Sequence, residues 1–388
     1  MRIGIIIRHC RNFKASRYVI EISKYFCDKG HEVHIFTSDW DDLDDRVIIH
    51  KIPKITNIFF IQELSFLLIA SILLKFYRFD VTLSQATRYF SPDICEMQFV
   101  YKRWAGERKK NKFGKSEKKI GLKLREFRLR GQDIFSPPME GYNLRRCKQV
   151  IAISDIVKKE IEDLYNISSK KINVVHSGAN LDFFNPNKRK FRNQIFKKHG
   201  IDLKDTLILF VGNPFDRKGL EFVIKSLSKV NHKKIKLLVI GRKEVSDMSY
   251  YNNLSKKLKV ENKIKFISLT PELNKYLASS DIFIFPTLYE PFGLVILEAM
   301  ASGIPVITSK DAGAAELIDN MKDGIILEDS KDYDEIADKI NYLLNDKERM
   351  KNMGKMARKK AEKYSWDAAA EKMLKVFKNI HVNNISRN

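Results

Sequence analysis

Short, largely apolar runs recur along the chain with helix-like stretches between them, and this rhythm limits the fold more than any other feature. "IGIII" (3–7), "EVHIFTS" (32–38), "VTLS" (81–84), "QVIAIS" (149–154) and "KINVVHSG" (171–178) form a first series. "TLILFVG" (206–212), "IKLLVIG" (235–241), "KIKFIS" (263–268), "IFIFP" (282–286) and "PVITS" (305–309) form a second. A strand covered on both faces has no side that meets water, so it reads as continuous apolar sequence rather than as alternation. Strands of this kind separated by helices predict parallel sheets with helices on both faces. The polar stretch "NPNKRKFRNQ" (185–194) separates the two series. The expected fold class is therefore α/β, with two doubly wound, Rossmann-like domains, at residues 1–190 and 191–365. In such sheets ligands bind in a cleft at the carboxyl ends of the strands. At 388 residues the chain has the length of two ordinary domains.

With 44% hydrophobic and 31% charged residues the composition is that of a globular protein. A formal charge of +23 favours anionic partners: nucleic acid, an acidic membrane surface or a phosphorylated substrate. Cys10, Cys27, Cys95 and Cys147 show no CxxC spacing, which argues against a zinc site or a redox pair and fits a reducing cytoplasm. "MRIGIIIRHC" reaches Arg8 and His9 too soon to be a signal peptide. "IFFIQELSFLLIASILLKF" (58–76) is the longest greasy segment. Gln62 and Glu63 interrupt it and its clean apolar core, Phe66 to Leu74, is too short to span a bilayer, so a buried helix is expected, with a membrane-facing helix as the lesser reading.

Three stretches carry chemistry. In "VGNPFDRKGLEFVIKSL" (211–227) a strand ends at Gly212, a short loop follows, and Arg217 and Lys218 stand where Gly219 opens a helix. Backbone N–H groups and the positive end of the helix dipole favour a phosphate at such a point, and two cations add direct charge contacts. A solvated basic turn is the plainer alternative. In "TLYEPFGLVILEAMASGIPVITS" (287–309), Glu290 and Glu298 lie eight apart, and all between them except Pro291 and Gly293 is apolar. Carboxylates are seldom buried without partners. Pro291 suits a first helical turn, and the amides of Phe292, Gly293, Leu294 and Val295 are expected to point out of its N-terminus. Two carboxylates about 12 Å apart along a helix cannot share one small ligand atom. They suit two parts of an extended polar ligand, and a sugar nucleotide has that form, with hydroxyls that pair with carboxylates. The third stretch, "SKDAGAAELI" (309–318), is a strand end leading through a glycine-bearing loop.

"FPTLYEPFGLVILEAMASGIPVI" resembles the signature of retaining glycosyltransferases of family 4, which have the GT-B fold. "GHEV" (30–33), "VIAIS" (150–154), "KINVVHSGANLDFFNP" (171–186), "FVGNPFDRKG" (210–219) and "YSW" (364–366) resemble that family's other blocks, in order. The adjacent Arg–Lys looks like lipopolysaccharide-core sugar transferases. The resemblance implies an N-terminal acceptor-binding domain, a C-terminal nucleotide-sugar domain and a last helix (366–388) that crosses back to the first. It implies a nucleoside-diphosphate-sugar donor, a UDP-sugar in particular, and a hydroxyl of a lipid-linked glycan or lipopolysaccharide-type acceptor. Glu290 is expected to hold the donor sugar, Glu298 the ribose, and the amides of Phe292 to Val295 sugar and phosphate. Gly212 and Asn213 are expected to border the phosphates. Arg217 and Lys218 are expected to neutralise the leaving diphosphate, which leaves no role for a metal or a further cofactor. The family often has Arg where this chain has Asn213, with Arg217 as the substitute. It often has a Gly pair where this chain has Phe13 and Lys14, so that Lys14 or Arg17 is expected to reach the diphosphate instead. No His occurs around "SPDICEMQFVYKRW" (91–104), where some relatives carry one near the acceptor.

From Lys102 to Arg130 there are 13 Lys or Arg against 3 Glu, interleaved with Trp104, Phe113 and Phe127. This is expected to dock on anionic lipid or a phosphorylated glycolipid, which puts the protein in the cytoplasm with peripheral attachment to the inner face of the membrane. The acidic run "SDWDDLDD" (38–45) is expected as a solvated loop rather than a metal-binding DxD. Two rival functions remain open on the sequence. A sugar-nucleotide epimerase of the same fold needs acid–base groups, and the eight His form no evident cluster. A nucleic-acid binder would rest on charge alone, without a recognisable motif, and no nucleic-acid partner is expected.

Overall fold

The structure is a computed structural model and describes all residues except 11–14, 42, 57–58, 87–89, 112–118, 243–247 and 386–388. It divides into two compact units, one formed by residues 1–107, 119–178 and 366–388, the other principally by 179–365.

The first unit contains, in chain order, β1 (Arg2–Ile6), β2 (His9–Cys10), α1 (Ala15–Asp28), β3 (Glu32–Thr37), β4 (Asp39–Trp40), β5 (Ile48–Lys51), α2 (Phe59–Leu73), β6 (Val81–Gln85), β7 (Ile94–Met97), α3 (Tyr101–Asn111), α4 (Lys119–Arg146), β8 (Gln149–Ala152), α5 (Asp155–Tyr165) and β9 (Ile172–Val174). Seven strands make one sheet in the order β5-β3-β1-β6-β7-β8-β9, and its paired strands are all parallel. β2 and β4 pair separately. The strands are apolar because both faces are covered: Ile3, Ile5, Val33, Ile35, Leu83 and Val150 are fully buried. Ser154 caps α5 by accepting from the Val157 amide at 3.2 Å, the role its position before "DIVKKEIEDLY" predicts.

Buried carboxylates are the unexpected feature of this unit. Glu140 of α4 accepts the Tyr101 amide on both oxygens, each at 3.0 Å, and the Tyr165 hydroxyl at 2.6 Å, so one side chain caps α3 and ties it to α5. Burial pushes its carboxyl up to about 7. Glu96 stands in the middle of the sheet, opposite Gln85 of β6 and Ile151 of β8, with no exposed surface. Burial pushes it up to about 8, against the pull of hydrogen bonds from Gln98 and Gln85. A carboxyl raised in the fold keeps its proton while the unfolded chain loses its own, so stability falls as pH climbs from the ordinary carboxylate range toward 8. Glu96→Gln should therefore melt higher than the parent by a margin that widens between pH 5 and pH 8. A constant margin across that range, read by thermal melts, would show that Glu96 is ionised in the fold.

In the second unit follow α6 (Arg192–His199), β10 (Thr206–Val211), α7 (Leu220–Ser226), β11 (Ile235–Ile240), α8 (Met248–Lys257), β12 (Ile264–Ile267), α9 (Leu273–Ser279), β13 (Ile282–Phe285), α10 (Leu294–Ala301), β14 (Val306–Ser309), β15 (Ile325–Leu327), α11 (Tyr333–Leu344) and α12 (Lys347–Ala361). Its parallel sheet runs β12-β11-β10-β13-β14-β15. The order reverses direction between β10 and β13, which is where a doubly wound sheet opens a crevice at its carboxyl edge. Ile208, Phe210, Leu237, Val239, Ile282 and Ile284 fill one core with the inner faces of α7 and α11. Arg358 of α12 donates to the carbonyls of Leu181, Phe184 and Ala301, which fixes the end of α10 to the segment entering this unit.

The last helix, α13 (Trp366–Ile385), belongs to the first unit and packs on α1. Tyr18 donates its hydroxyl to Met373 Sδ at 2.8 Å, and Phe26 meets Phe377 with ring centres 5.3 Å apart.

Candidate functional site

Both chemistry-bearing loops of the second unit leave the strands that flank the switch point. β10 ends at Val211 and is followed by residues 212–219, and β13 ends at Phe285 and is followed by 286–293. The two loops are stitched together. The Arg217 carbonyl accepts from the Leu288 amide at 2.9 Å and from Thr287 Oγ1 at 3.1 Å. Arg217 Nη1 donates to the Tyr289 carbonyl at 2.8 Å and to Glu290 Oε2 at 3.2 Å. Lys218 Nζ pairs with the same Glu290 oxygen, and lies 4.9 Å from the Phe285 ring centre. One carboxylate thus sits between two adjacent cations.

Burial dominates the electrostatics. Lys218 is only 7% exposed, and desolvation pulls the Arg217 guanidinium down to about 10, against the raising influence of Tyr289 and Asp216. In a site shielded from water, charges interact far more strongly than at the surface. Two glycines make this packing possible. A Cβ on Gly212 would stand 2.7 Å from Lys218 Cγ, so the lysine stem crosses directly over that glycine. Gly219 has φ +79° and its missing Cβ would stand 2.0 Å from the Pro286 carbonyl oxygen. Asn213, in the same loop, has a buried Oδ1 without a hydrogen-bond partner among the described residues.

The expected helix start is corrected by the structure. α10 begins at Leu294, three residues after Pro291, and its N-cap is Gly293 at φ 96°. Residues 290–292 are held instead as an extended strap. The Glu290 amide donates to the Asp311 carbonyl and its carbonyl accepts from Gly313, both at 2.9 Å, and the Phe292 carbonyl accepts from Ala314 at 2.7 Å. The loop of the third stretch therefore spends its amides on positioning Glu290. Phe292 is buried, and Leu294 and Val295 form the first turn of α10, whose N–H groups have no acceptor within the helix. Glu298 lies on the next turn and is half-buried. Arg217, Lys218, Glu290, Gly212 and Asn213 are brought together, with Phe292 to Val295 leading away from Glu290. Lys14 lies outside the described residues. Thr287, Tyr289 and Asp311 hold the cluster in place through backbone contacts, which no residue pattern in the sequence announces.

In the acidic run, Asp39 pairs with His9 and Lys54, and Asp44 with Arg46.

Comparison with known proteins bears on the family and the fold. The family described as Glycosyltransferase Family 4 matches residues 15–183, and Glycosyl transferases group 1 matches 191–360. An uncharacterized glycosyltransferase of Methanocaldococcus jannaschii is 34% identical over 249 residues, which is 62% of this chain and 62% of the relative. The chain spans about six tenths of the length of the curated relatives it matches. Among solved structures, WaaG, a glycosyltransferase involved in lipopolysaccharide biosynthesis, superposes with TM-score 0.75 at 18% identity, covering 97% of this chain and 99% of its own. Anabaena HepE in complex with UDP-glucose superposes with TM-score 0.70 at 14% identity, covering 98% and 100%. Such identities speak to the fold alone. Two matched families in succession, on two parallel-sheet units of GT-B type, place this chain among the GT-B glycosyltransferases, with a family 4 region followed by a group 1 region.

Proposed function

We propose that the protein is a retaining, metal-independent transferase that moves a hexose from a nucleoside-diphosphate sugar, a UDP-sugar in particular, to a hydroxyl of a lipid-linked glycan or lipopolysaccharide-type acceptor. The observation that carries this reading is the single carboxylate of Glu290 clamped by Arg217 and Lys218 at the switch point of the second sheet. When the bond between the sugar C1 and the phosphate oxygen breaks, negative charge grows on the diphosphate. Fixed cations in a desolvated site stabilise that charge without reorganising. The same pair does the work a divalent ion would do. Glu290, with one oxygen committed to both cations, is a poor covalent nucleophile but a good acceptor for sugar hydroxyls. The acceptor oxygen then bonds to C1 from the side the phosphate leaves, and its proton passes to the departing phosphate oxygen. Glu298 takes the ribose hydroxyls, the first-turn amides of α10 take sugar and phosphate, and the buried Asn213 Oδ1 is free to accept from the donor. UDP-glucose in the HepE complex supports a donor of this class. The first unit is assigned the acceptor, and the basic stretch 102–130, of which 112–118 lie outside the described residues, an anionic surface at the inner face of the membrane.

The test is a panel of sugar nucleotides assayed for release of nucleoside diphosphate. One donor should release it, faster on addition of acceptor and undiminished by EDTA, with the anomeric configuration kept in the product. Release that ignores the acceptor points to an epimerase instead. Salt-sensitive DNA binding without sugar-nucleotide binding would remove the enzyme reading altogether.

A further inference from the structure

Helix α2 is apolar on its buried face and apolar again on its outward face. Its inward face places Phe66, Leu67, Ala70 and Leu74 in a core with Ile6, Phe36 and Ile52. Its hydrogen-bonding side chains are also spent inward: Glu63 pairs with Arg8, which is itself buried, and Gln62 accepts from Arg8 Nη2 at 2.5 Å. The outward face is Ile61, Leu64, Leu68 and Ile72, continued by Phe76 in the turn that follows, with exposures from 41% to 79%. Helical geometry makes this a continuous stripe. At about 100° per residue, positions 61, 64, 68 and 72 fall within roughly 80° of one another, opposite the buried set. The expectation of a wholly buried helix therefore holds for one face only.

A soluble surface normally carries charge where this one carries aliphatics, and a contiguous apolar patch of this kind marks a docking face. Its flanks identify what covers it. Lys51 is exposed before α2, and Lys75 and Arg78 after it, so both ends of the stripe are cationic, while Lys54, also exposed, pairs with Asp39. α4 packs against α2 and exposes Ile134 and Phe135. Aliphatic side chains flanked by long cations that reach toward phosphate suit the interface of an anionic bilayer. A second copy of the chain would bring a formal charge of +23 against another +23. Among the described residues no helix is long and apolar enough to cross a membrane. With 15 residues, α2 is about 22 Å long and falls short of the hydrocarbon core.

We infer that α2 lies in the plane of an anionic lipid surface and inserts Ile61, Leu64, Leu68, Ile72 and Phe76 among the acyl chains. This deepens the membrane assignment made above for the basic stretch, and rests on it only for the sign of the lipid charge. The stripe adds an apolar component that salt does not screen, and it fixes which face of the first unit meets the bilayer.

Flotation of the full chain with vesicles of phosphatidylcholine containing about one third phosphatidylglycerol tests it. Wild type should float, and should keep a bound fraction at 0.5 M NaCl, where surface charge is largely screened. Leu64→Glu/Leu68→Glu/Ile72→Glu should lower vesicle partitioning by about tenfold or more while nucleotide release from the donor is unchanged in detergent, so failure of the lipid claim is separable from failure of the transferase claim. Should that variant not fold, Leu68→Trp in the otherwise native chain gives a second readout. Its fluorescence should shift to the blue on these vesicles and be quenched by brominated acyl chains. Flotation that the triple substitution leaves intact, fluorescence of the Leu68→Trp variant that brominated lipid does not quench, or a wild-type dimer in solution that the triple substitution converts to monomer would each overturn the inference.

Discussion

Lys218→Ala should lower kcat by about two to three orders of magnitude while the chain remains folded. Removing one preorganised donor to developing negative charge costs about that much in enzymes whose transition state gathers charge in a dry site. The proposed function makes Lys218 such a donor: it is buried, its stem is seated on Gly212, and it shares Glu290 with Arg217. Loss of one partner from a buried ion pair ordinarily costs about 3–5 kcal/mol, because the other charge is left alone. Here Arg217 Nη1 remains 3.2 Å from Glu290, so the cost to stability is a fraction of that. The split between a large kinetic and a small stability effect identifies a catalytic cation. Lys218→Arg should recover only part of the rate, since a guanidinium is planar and wider than the ammonium that fits between Glu290 and the Phe285 ring. Steady-state kinetics beside thermal melts decides the matter: near-normal kcat in Lys218→Ala removes the leaving-group role from this residue.

The strands of both sheets were legible where burial on two faces forced an unbroken apolar run, as in "TLILFVG" and "IKLLVIG". β7 was not, because the strand Ile94–Met97 carries Glu96 in its middle, and a charged residue normally argues against a buried strand. Its burial depends on keeping its proton, a tertiary effect that composition does not register. β15 is three residues long, too short for periodicity to rise above chance. At the candidate site, the sequence offered Arg217, Lys218 and Glu290 as groups around one ligand, but not the direct ion pairing among them. Glu290 is expected just before the helix and stands before α10, but the structure also joins it directly to Arg217 and Lys218, more than seventy residues earlier. The link is made by Leu288 and Thr287 donating to a backbone carbonyl, and backbone partners leave little trace in residue type. The same limit applies to α2, where an apolar sequence all round says that a helix is buried somewhere but not which face the protein itself covers.

Gly219→Ala should be the most damaging single-methyl change in the second unit. Two penalties act together. The residue sits at φ +79°, ψ 22°, where a side chain costs about 1–2 kcal/mol relative to glycine. The new Cβ would also stand 2.0 Å from the Pro286 oxygen, and Pro286 follows directly on β13 in the middle of the sheet, so it has little room to retreat. Relief must come from the 212–219 loop moving away from the 286–290 loop. That motion breaks the Leu288 and Thr287 bonds to the Arg217 carbonyl and draws both cations off Glu290. A total loss of about 3 kcal/mol or more is expected, which in a unit of this size lowers the melting temperature by roughly 6–12 °C. Because the same displacement dismantles the ion cluster, turnover should fall at least as far as in Lys218→Ala even at temperatures where the variant is fully folded. This pairing of lost stability with lost rate separates Gly219 from Lys218, where the rate is expected to suffer far more than the stability. Melting within about 2 °C of wild type together with unchanged kcat would show that the two loops tolerate separation, and with it that the close approach at Pro286 is not what holds Arg217 and Lys218 against Glu290.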